Sequence, residues 1–255
     1  MGVAEPKQVQ ERIAANDHWY TSSQFAWSYG VAKHVHALRQ DFMLGWIERA
    51  KTRTKKRPLN VVEVGCGDGV NLYRLSKAMD CRFFGYDYNE LRLERARKLV
   101  PTAEFAAIDL AKHPACPVGS GAEVLIFSHV IEHIDDDTGA LRHLRQWLAP
   151  GGVLLLLTPN EGCMSTRFDY RFVNPQLPAQ TDHVHFYNRR SLRRLVMDAG
   201  FNILEMRGEV FYFPSYRHHI GLLRRKWGFN LLRLARLLMP SQTECWQLAL
   251  EARSP

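Results

Sequence analysis

Val61-Val62-Glu63-Val64-Gly65-Cys66-Gly67-Asp68-Gly69-Val70 is the stretch on which the reading of this chain turns. Residues from Leu59 form a short apolar strand that runs into glycines at 65, 67 and 69, and Val70 opens an apolar helical pattern that continues to Met79. Alternate glycines let a backbone turn tightly and approach another group closely. The helix that follows offers unpaired N–H groups and a partial positive charge at its start. A strand, a glycine loop and a helix in that order place a ligand cradle at the carboxyl end of a strand in an open α/β sheet.

The same alternation continues outward. Strands are expected at 81–87, 103–109, 123–128, 152–158 and 201–207, with a last one at 245–251. Helices are expected at 90–100, 139–148 and 191–199. Strands alternating with helices give crossover units and a mostly parallel sheet. The run Val153 to Leu157 is wholly apolar, as suits a strand covered on both faces. The predicted fold is therefore an α/β, doubly wound, mostly parallel seven-stranded sheet. Ahead of it, residues 1–58 read as an N-terminal helical segment. Val31, Val35, Leu38, Phe42 and Trp46 recur there at steps of three and four, and a basic run from Lys51 to Arg57 ends it at Pro58. Residues 59–255 then form one domain with insertions at 161–188 and 211–243.

The chain has 255 residues, 34 basic and 26 acidic side chains, and 46% hydrophobic residues, which excludes a disordered or collagen-like chain. Its net charge of +8 is unevenly placed: +5 in residues 1–60, −2 in 61–206 and +5 in 207–255. Five scattered cysteines without a C-x-x-C pair suit reduced thiols. No signal peptide is visible, and the longest apolar run is too short to cross a bilayer. These features predict a cytoplasmic protein, with peripheral contact at the inner face of a membrane left open.

The spacing of the loop is E-x-G-x-G-x-G. A dinucleotide fingerprint needs glycine where Val70 stands. Asp87 ends the second strand, 22 residues after Gly65, where an acid can take two ribose hydroxyls. Asp109 ends the third. With Glu63 to Gly69, Gly85-Tyr86-Asp87, Ile108-Asp109-Leu110, Ser128-His129-Val130-Ile131-Glu132-His133 and Leu148-Ala149-Pro150-Gly151-Gly152, the chain resembles the class I S-adenosylmethionine-dependent methyltransferases over about residues 59–207. That likeness includes the ubiquinone-biosynthesis and sugar O-methyltransferases. The resemblance implies a Rossmann-like fold and S-adenosyl-L-methionine as cofactor. By the same resemblance, Gly65, Cys66, Gly67 and Gly69 would hold its methionyl part and Glu63 would face its ammonium. Asp87 would bind the ribose, Tyr88 would pack on the adenine, and Asp109 and Leu110 would meet the adenine amino group. Ser128 and His129 would line the pocket beneath the sulfonium.

Attack by a hydroxyl benefits from a base with a pKa near 7. His133, His183 and His185 are the expected catalytic histidines. His183 and His185 have no third ligand at a familiar metal spacing, so no metal is expected. Asp135-Asp136-Asp137 suits a helix start. The aromatic insert at 161–188 and the basic stretch at 211–243 point to a small-molecule, glycan or lipid-linked acceptor. In the basic stretch Ile220, Leu223, Trp227, Leu231, Leu234 and Leu238 share one helical face, opposite Arg225, Lys226, Arg233 and Arg236. That stretch reads either as a helix lying on an anionic membrane or as a lid packed on the core. The alternatives in function are an RNA methyltransferase, although no nucleic-acid module is recognisable, and a non-catalytic partner protein that keeps the fold.

Overall fold

The computed structural model describes residues 22–54, 58–112, 115–119, 121–238, 245 and 247–253. The expected start of the N-terminal segment, the end of its basic run and residues 239–243 of the second insertion lie outside them. The elements in chain order are α1 (Lys33–Arg53), β1 (Leu59–Val64), α2 (Val70–Ala78), β2 (Cys81–Asp87), α3 (Glu90–Leu99), β3 (Glu104–Ala107), β4 (Ala122–Ser128) and α4 (Asp137–Arg145). They continue with β5 (Leu148–Pro159), α5 (Met164–Phe168), α6 (Arg189–Asp198), β6 (Asn202–Gly208), α7 (Tyr216–Leu223), α8 (Lys226–Leu238) and β7 (Gln247–Arg253).

The seven strands lie in the order β3-β2-β1-β4-β5-β7-β6. Only β7 runs antiparallel to its neighbours, β5 and β6. The order reverses between β1 and β4, which opens a crevice at their carboxyl ends. All six residues of β1 and all seven of β4 are buried, because helices cover both faces. Val62, Leu125, Phe127, Leu154 and Leu156 point to one face, against Leu141 and Leu144 of α4 and Leu192 and Val196 of α6. Val61, Val124, Ile126, Leu155 and Leu157 point to the other, against Leu72 and Leu75 of α2 and Met43, Trp46 and Ile47 of α1. A large-to-small change at one of these leucines costs about 2–5 kcal/mol.

Two helix starts explain small shifts from the sequence reading. Asp136 caps α4 by accepting the Gly139 N–H at 2.8 Å, so the helix begins at Asp137 and the acidic triplet serves as its cap. Asn188 caps α6 in a reciprocal box with Ser191, which moves that start to Arg189.

α1 belongs to the core of the sheet through Met43, Trp46, Ile47 and Ala50. The expected stripe is only half right: Val35 and Trp46 are buried, whereas Val31, Leu38 and Phe42 are half-buried. The polar side chains of His36 and Gln40 are buried instead.

The second insertion departs further from its expected amphipathic face. It is two helices broken at Arg224-Arg225. A Cβ on Gly228 would lie 2.5 Å from the Leu222 carbonyl oxygen, so the glycine lets α8 pack closely on the end of α7. That contact turns Gly228, Phe229 and Leu232 inward, against Val35, Val210, Ile220 and Leu223. Trp227, Leu231, Leu234 and Leu238 are 52–72% exposed, so of the two expected placements this apolar face of α8 is an outer face and is not packed on the core.

Candidate active site

The glycine loop joins β1 to α2 with Gly65, Gly67 and Gly69 at φ values of +72°, +51° and +74°. Those angles disfavour any side chain, and a Cβ on Gly65 would also meet Val130 Cγ2 at 2.2 Å. The loop is held from the next strand: Asp87 Oδ2 accepts the Gly67 N–H at 2.8 Å, while its Oδ1 accepts the Asn89 N–H at 2.9 Å. Burial raises the Asp87 pKa, and these backbone bonds counter part of the rise.

Above the loop is a chamber of about 770 Å³. Glu63, Gly65, Cys66, Asp87, Tyr88, Ser128 and His129 line it, as do His133 and His183. Gly67, Gly69, Asp109, Leu110 and His185 are not among its lining residues. The first two shape the loop. Asp109 pairs with Lys112 at 3.0 Å, and Leu110 packs on the core. His185 Nε2 lies 3.1 Å from the Asp135 carbonyl oxygen, outside the chamber.

Glu63 is the electrostatic centre of the loop end. Its side chain is buried, Oε1 accepts a 2.6 Å bond from Asn71 Nδ2, and Oε2 has no hydrogen-bond partner. Burial, opposed by the Asn71 bond and reinforced by the charge of Asp87, pushes its pKa up to about 8. A buried carboxylate oxygen without a partner, facing a chamber, is complementary to an ammonium group.

The far wall is built from the end of β4 and from the first insertion. His129 is the single non-glycine at positive φ (57°) among the described residues, a strained position that aims its side chain at Glu132. His129 Nδ1 lies 3.3 Å from Glu132 Oε1, and Thr158 donates to Glu132 Oε2 at 3.0 Å. Burial would raise the Glu132 pKa, but His129, with His133 and His183, holds it at about 2. The backbone N–H groups of Val184 and His185 bond the Glu132 carbonyl oxygen at 2.8 and 3.2 Å and bring residues 182–185 onto this loop. His133 Nδ1 then lies 3.0 Å from Asp182 Oδ1, and His183 Nδ1 lies 2.6 Å from Glu161 Oε2. The His133 and His183 rings meet edge to face at 4.9 Å. Burial would lower the His183 pKa, but the bond and charge of Glu161, with Glu132 and Asp182, raise it overall.

Several lining residues have no counterpart in the sequence reading. Ser22, Ser23, Gln24, Trp27, Ser28, His36 and Arg39 roof the chamber. Gln24 fastens that roof to the loop: its N–H bonds Asp68 Oδ2 at 2.9 Å, and its Oε1 accepts the Asp68 N–H at 3.0 Å. Arg39 bonds Glu209, whose side chain is fully buried, at 2.8 Å. Burial, with Arg39 nearby, lowers the His36 pKa to about 3, so this imidazole is neutral at pH 7. Glu161, Tyr170, Tyr212 and Tyr216 come from the two insertions. Asp169, fully buried, joins those insertions by accepting bonds from the Tyr212 hydroxyl, the Tyr216 N–H (3.1 Å) and Asn174 Nδ2 (2.5 Å). The aromatic insert at 161–188 was an advance signal for Tyr170, and polar side chains at core-facing helical positions, as at His36 and Gln40, were another.

Residues 35–206 match the family described as methyltransferase domain. A probable S-adenosylmethionine-dependent methyltransferase of Mycobacterium tuberculosis is 28% identical over 158 residues, 62% of this chain and 54% of that protein. The chain thus spans about half the length of that relative. A ubiquinone biosynthesis O-methyltransferase of Leptothrix cholodnii is 29% identical over 233 residues, covering 85% of this chain and 91% of that protein. Among solved structures, magnesium protoporphyrin IX methyltransferase from Synechocystis with bound SAH superposes with a TM-score of 0.62 at 17% identity, over 98% of this chain and 100% of that one. The unpartnered Glu63 oxygen, the close-approach glycine loop and Asp87 fit S-adenosylmethionine, and with the family match over most of the sheet they establish that this chain belongs to the S-adenosylmethionine-dependent methyltransferases.

Proposed function

We propose that this protein methylates a hydroxyl oxygen of a small-molecule, glycan or lipid-linked acceptor. The observation that carries the reading is the far wall of the chamber, where His133 and His183 are each held by a carboxylate. S-adenosylmethionine, when bound, supplies an electrophilic methyl group on a sulfonium. On this reading Glu63 takes the ammonium group and Asp87 the ribose, and the glycine loop lets the backbone approach the ligand. Tyr88, half exposed at the rim, offers a ring face to the adenine. Ser128 and His129 line the floor between the two ends.

Methyl transfer to a hydroxyl forms a C–O bond, breaks a C–S bond and releases one proton. An imidazole–carboxylate wall suits that proton, and in-line transfer needs only an acceptor bound between this wall and the cofactor end. The relatives named ubiquinone biosynthesis O-methyltransferase support an oxygen acceptor.

The lipid-linked class is supported by α8. Trp227, Leu231, Leu234 and Leu238 form an exposed apolar ridge, with Arg224, Arg225, Lys226 and Arg233 exposed beside it. Residues 210–243 contain no acid. An anionic bilayer complements both features, and each cation near it contributes about 1 kcal/mol. No helix among the described residues is long and apolar enough to cross a membrane. Tyr212 and Tyr216 of the same insertion wall the chamber, so a docked ridge brings the chamber to the lipid surface.

The test is transfer of labelled methyl from S-adenosylmethionine into fractionated extract and into phenols, sugars and prenylated phenols, with the product identified by NMR. A methyl ether supports the reading, and an N-methyl product overturns the choice of acceptor. An Asp87→Ala variant is expected to lose cofactor affinity in isothermal titration. Sedimentation with anionic but not neutral vesicles, reduced in a Leu231→Ser/Leu234→Ser variant, supports the lipid surface. No sedimentation overturns it.

A further inference from the structure

We infer that Glu132, His133 and His183 form a site for a divalent cation of the Zn²⁺ or Mn²⁺ kind. The inference rests on the oxygen-acceptor reading for its purpose, and on geometry alone for its existence. One ligand-type atom from each of the three residues lies within 4.8 Å of the others. In a tetrahedral site, metal–nitrogen and metal–oxygen bonds of about 2.0–2.2 Å put ligand atoms about 3.3–3.6 Å apart, so side-chain rotations that close the cluster by up to about 1.5 Å complete the site. One carboxylate with two imidazoles suits a borderline transition-metal ion better than Mg²⁺ or Ca²⁺.

Three further observations point the same way. First, Glu161 is hydrogen-bonded behind His183 at 2.6 Å, and the Asp182 carboxylate lies 3.0 Å from His133 Nδ1 without hydrogen-bond geometry. Metal-binding histidines are oriented in this manner, the outer carboxylate fixing the ring and raising its basicity. Second, Glu132 is 1% exposed, and its Oε1 accepts no hydrogen bond while Thr158 holds Oε2. Oε1 has His129 Nδ1 nearby, at 3.3 Å and without hydrogen-bond geometry, so it can turn to a cation shared with the two other imidazoles. Third, no lysine or arginine pairs with Glu132 or Glu161 among the described residues; besides the hydroxyls of Thr158 and Tyr170, their partners are imidazoles. A divalent cation balances their charge.

Spacing along the chain hides the site, because Glu132 and His133 end one loop and His183 stands 50 residues later. Three protein ligands leave a coordination position for an outside oxygen. The chamber supplies the room, and the acceptor hydroxyl is the group that the cation would orient and acidify.

The test uses the full chain, treated with EDTA and then freed of it. Titration with Zn²⁺ alone and with Mn²⁺ alone, followed by elemental analysis after dialysis, should give one equivalent bound. Co²⁺ should produce visible absorption bands of a site with nitrogen and oxygen ligands. His133→Ala and His183→Ala should each weaken binding at least ~100-fold, and Glu161→Gln ~10- to 100-fold. Each variant should keep its affinity for S-adenosylmethionine, which shows that it is folded. His218→Ala, on an exposed histidine, should leave metal affinity unchanged. Less than half an equivalent of either ion, or affinity unchanged in both ligand variants, overturns the inference. The two readings fail separately. Metal binding as described together with N-methyl product defeats only the oxygen acceptor. A chain that forms methyl ethers but takes up less than half an equivalent of either ion defeats only the cation.

Discussion

Replacing Glu63 by glutamine perturbs stability and cofactor binding in opposite directions, and both effects can be worked out from the structure. The native Glu63 carboxyl has its pKa at about 8, against 4.5 as its ordinary value. Between these two pH values the native state holds a proton that the unfolded chain has released, so stability falls as pH rises through the window. The difference of about 3.5 units corresponds to as much as ~5 kcal/mol at pH 8. Glutamine keeps the oxygen that accepts from Asn71 and has no charge to bury. The cofactor-free variant should therefore be more stable than the parent, by little at pH 4.5 and most at pH 8. A gain of even ~2 kcal/mol raises Tm by about 4–8 °C in a chain of this size. Cofactor affinity should move the other way. Losing a charge-assisted bond to the ammonium costs about 1.5–3 kcal/mol, or roughly 10- to 150-fold. Parent affinity should also weaken about tenfold per unit as pH falls below 8, because fewer carboxylates are ionised, whereas the variant should be flat there. Thermal melts from pH 5 to 8 and isothermal titration with S-adenosylmethionine measure both. A variant that binds within twofold of the parent, with the same pH profile and no gain in Tm, refutes the assignment.

Other outcomes follow from the same contacts. Gln24→Ala removes the acceptor of the Asp68 N–H, worth about 1 kcal/mol, so cofactor dissociation should quicken about fivefold in stopped-flow fluorescence; an unchanged rate rejects the roof as a barrier. Arg39→Leu leaves the fully buried Glu209 carboxylate without its ion pair and should cost about 3–5 kcal/mol in denaturant unfolding. Asp169→Ala strips partners from Tyr212, Tyr216 and Asn174, and its Tm should fall by several degrees, with both insertions becoming sensitive to protease.

The sheet was legible because its information is local. Glycines 65, 67 and 69, the acid ending β2 and the apolar run in β5 each declare a backbone geometry within a few residues. The cofactor half of the site inherited that clarity, since Glu63 and Asp87 sit at strand ends. The acceptor half did so only in part: His133 and His183 were expected there, but Glu161 gains meaning only when the Glu132 carbonyl gathers residues 184 and 185 onto the β4 loop. The roof was missed for a similar reason, because Gln24 and His36 meet the loop only across the fold. For α8, periodicity finds the apolar face but not which side it turns to; the packing of Gly228 against Leu222 decides that.

Asp169 has a consequence for how this protein changes over time. Because one buried carboxylate serves Tyr170's insertion and Tyr212's insertion together, the two are mechanically a single part despite lying some 40 residues apart. A change of acceptor that reshapes one must carry the other with it or abandon the carboxylate. Grafting both insertions onto a related sheet should transfer acceptor choice, while grafting either alone should yield a chain that folds poorly. The cofactor loop, on the far side of the chamber, is free of that linkage and can stay constant while the acceptor end diversifies.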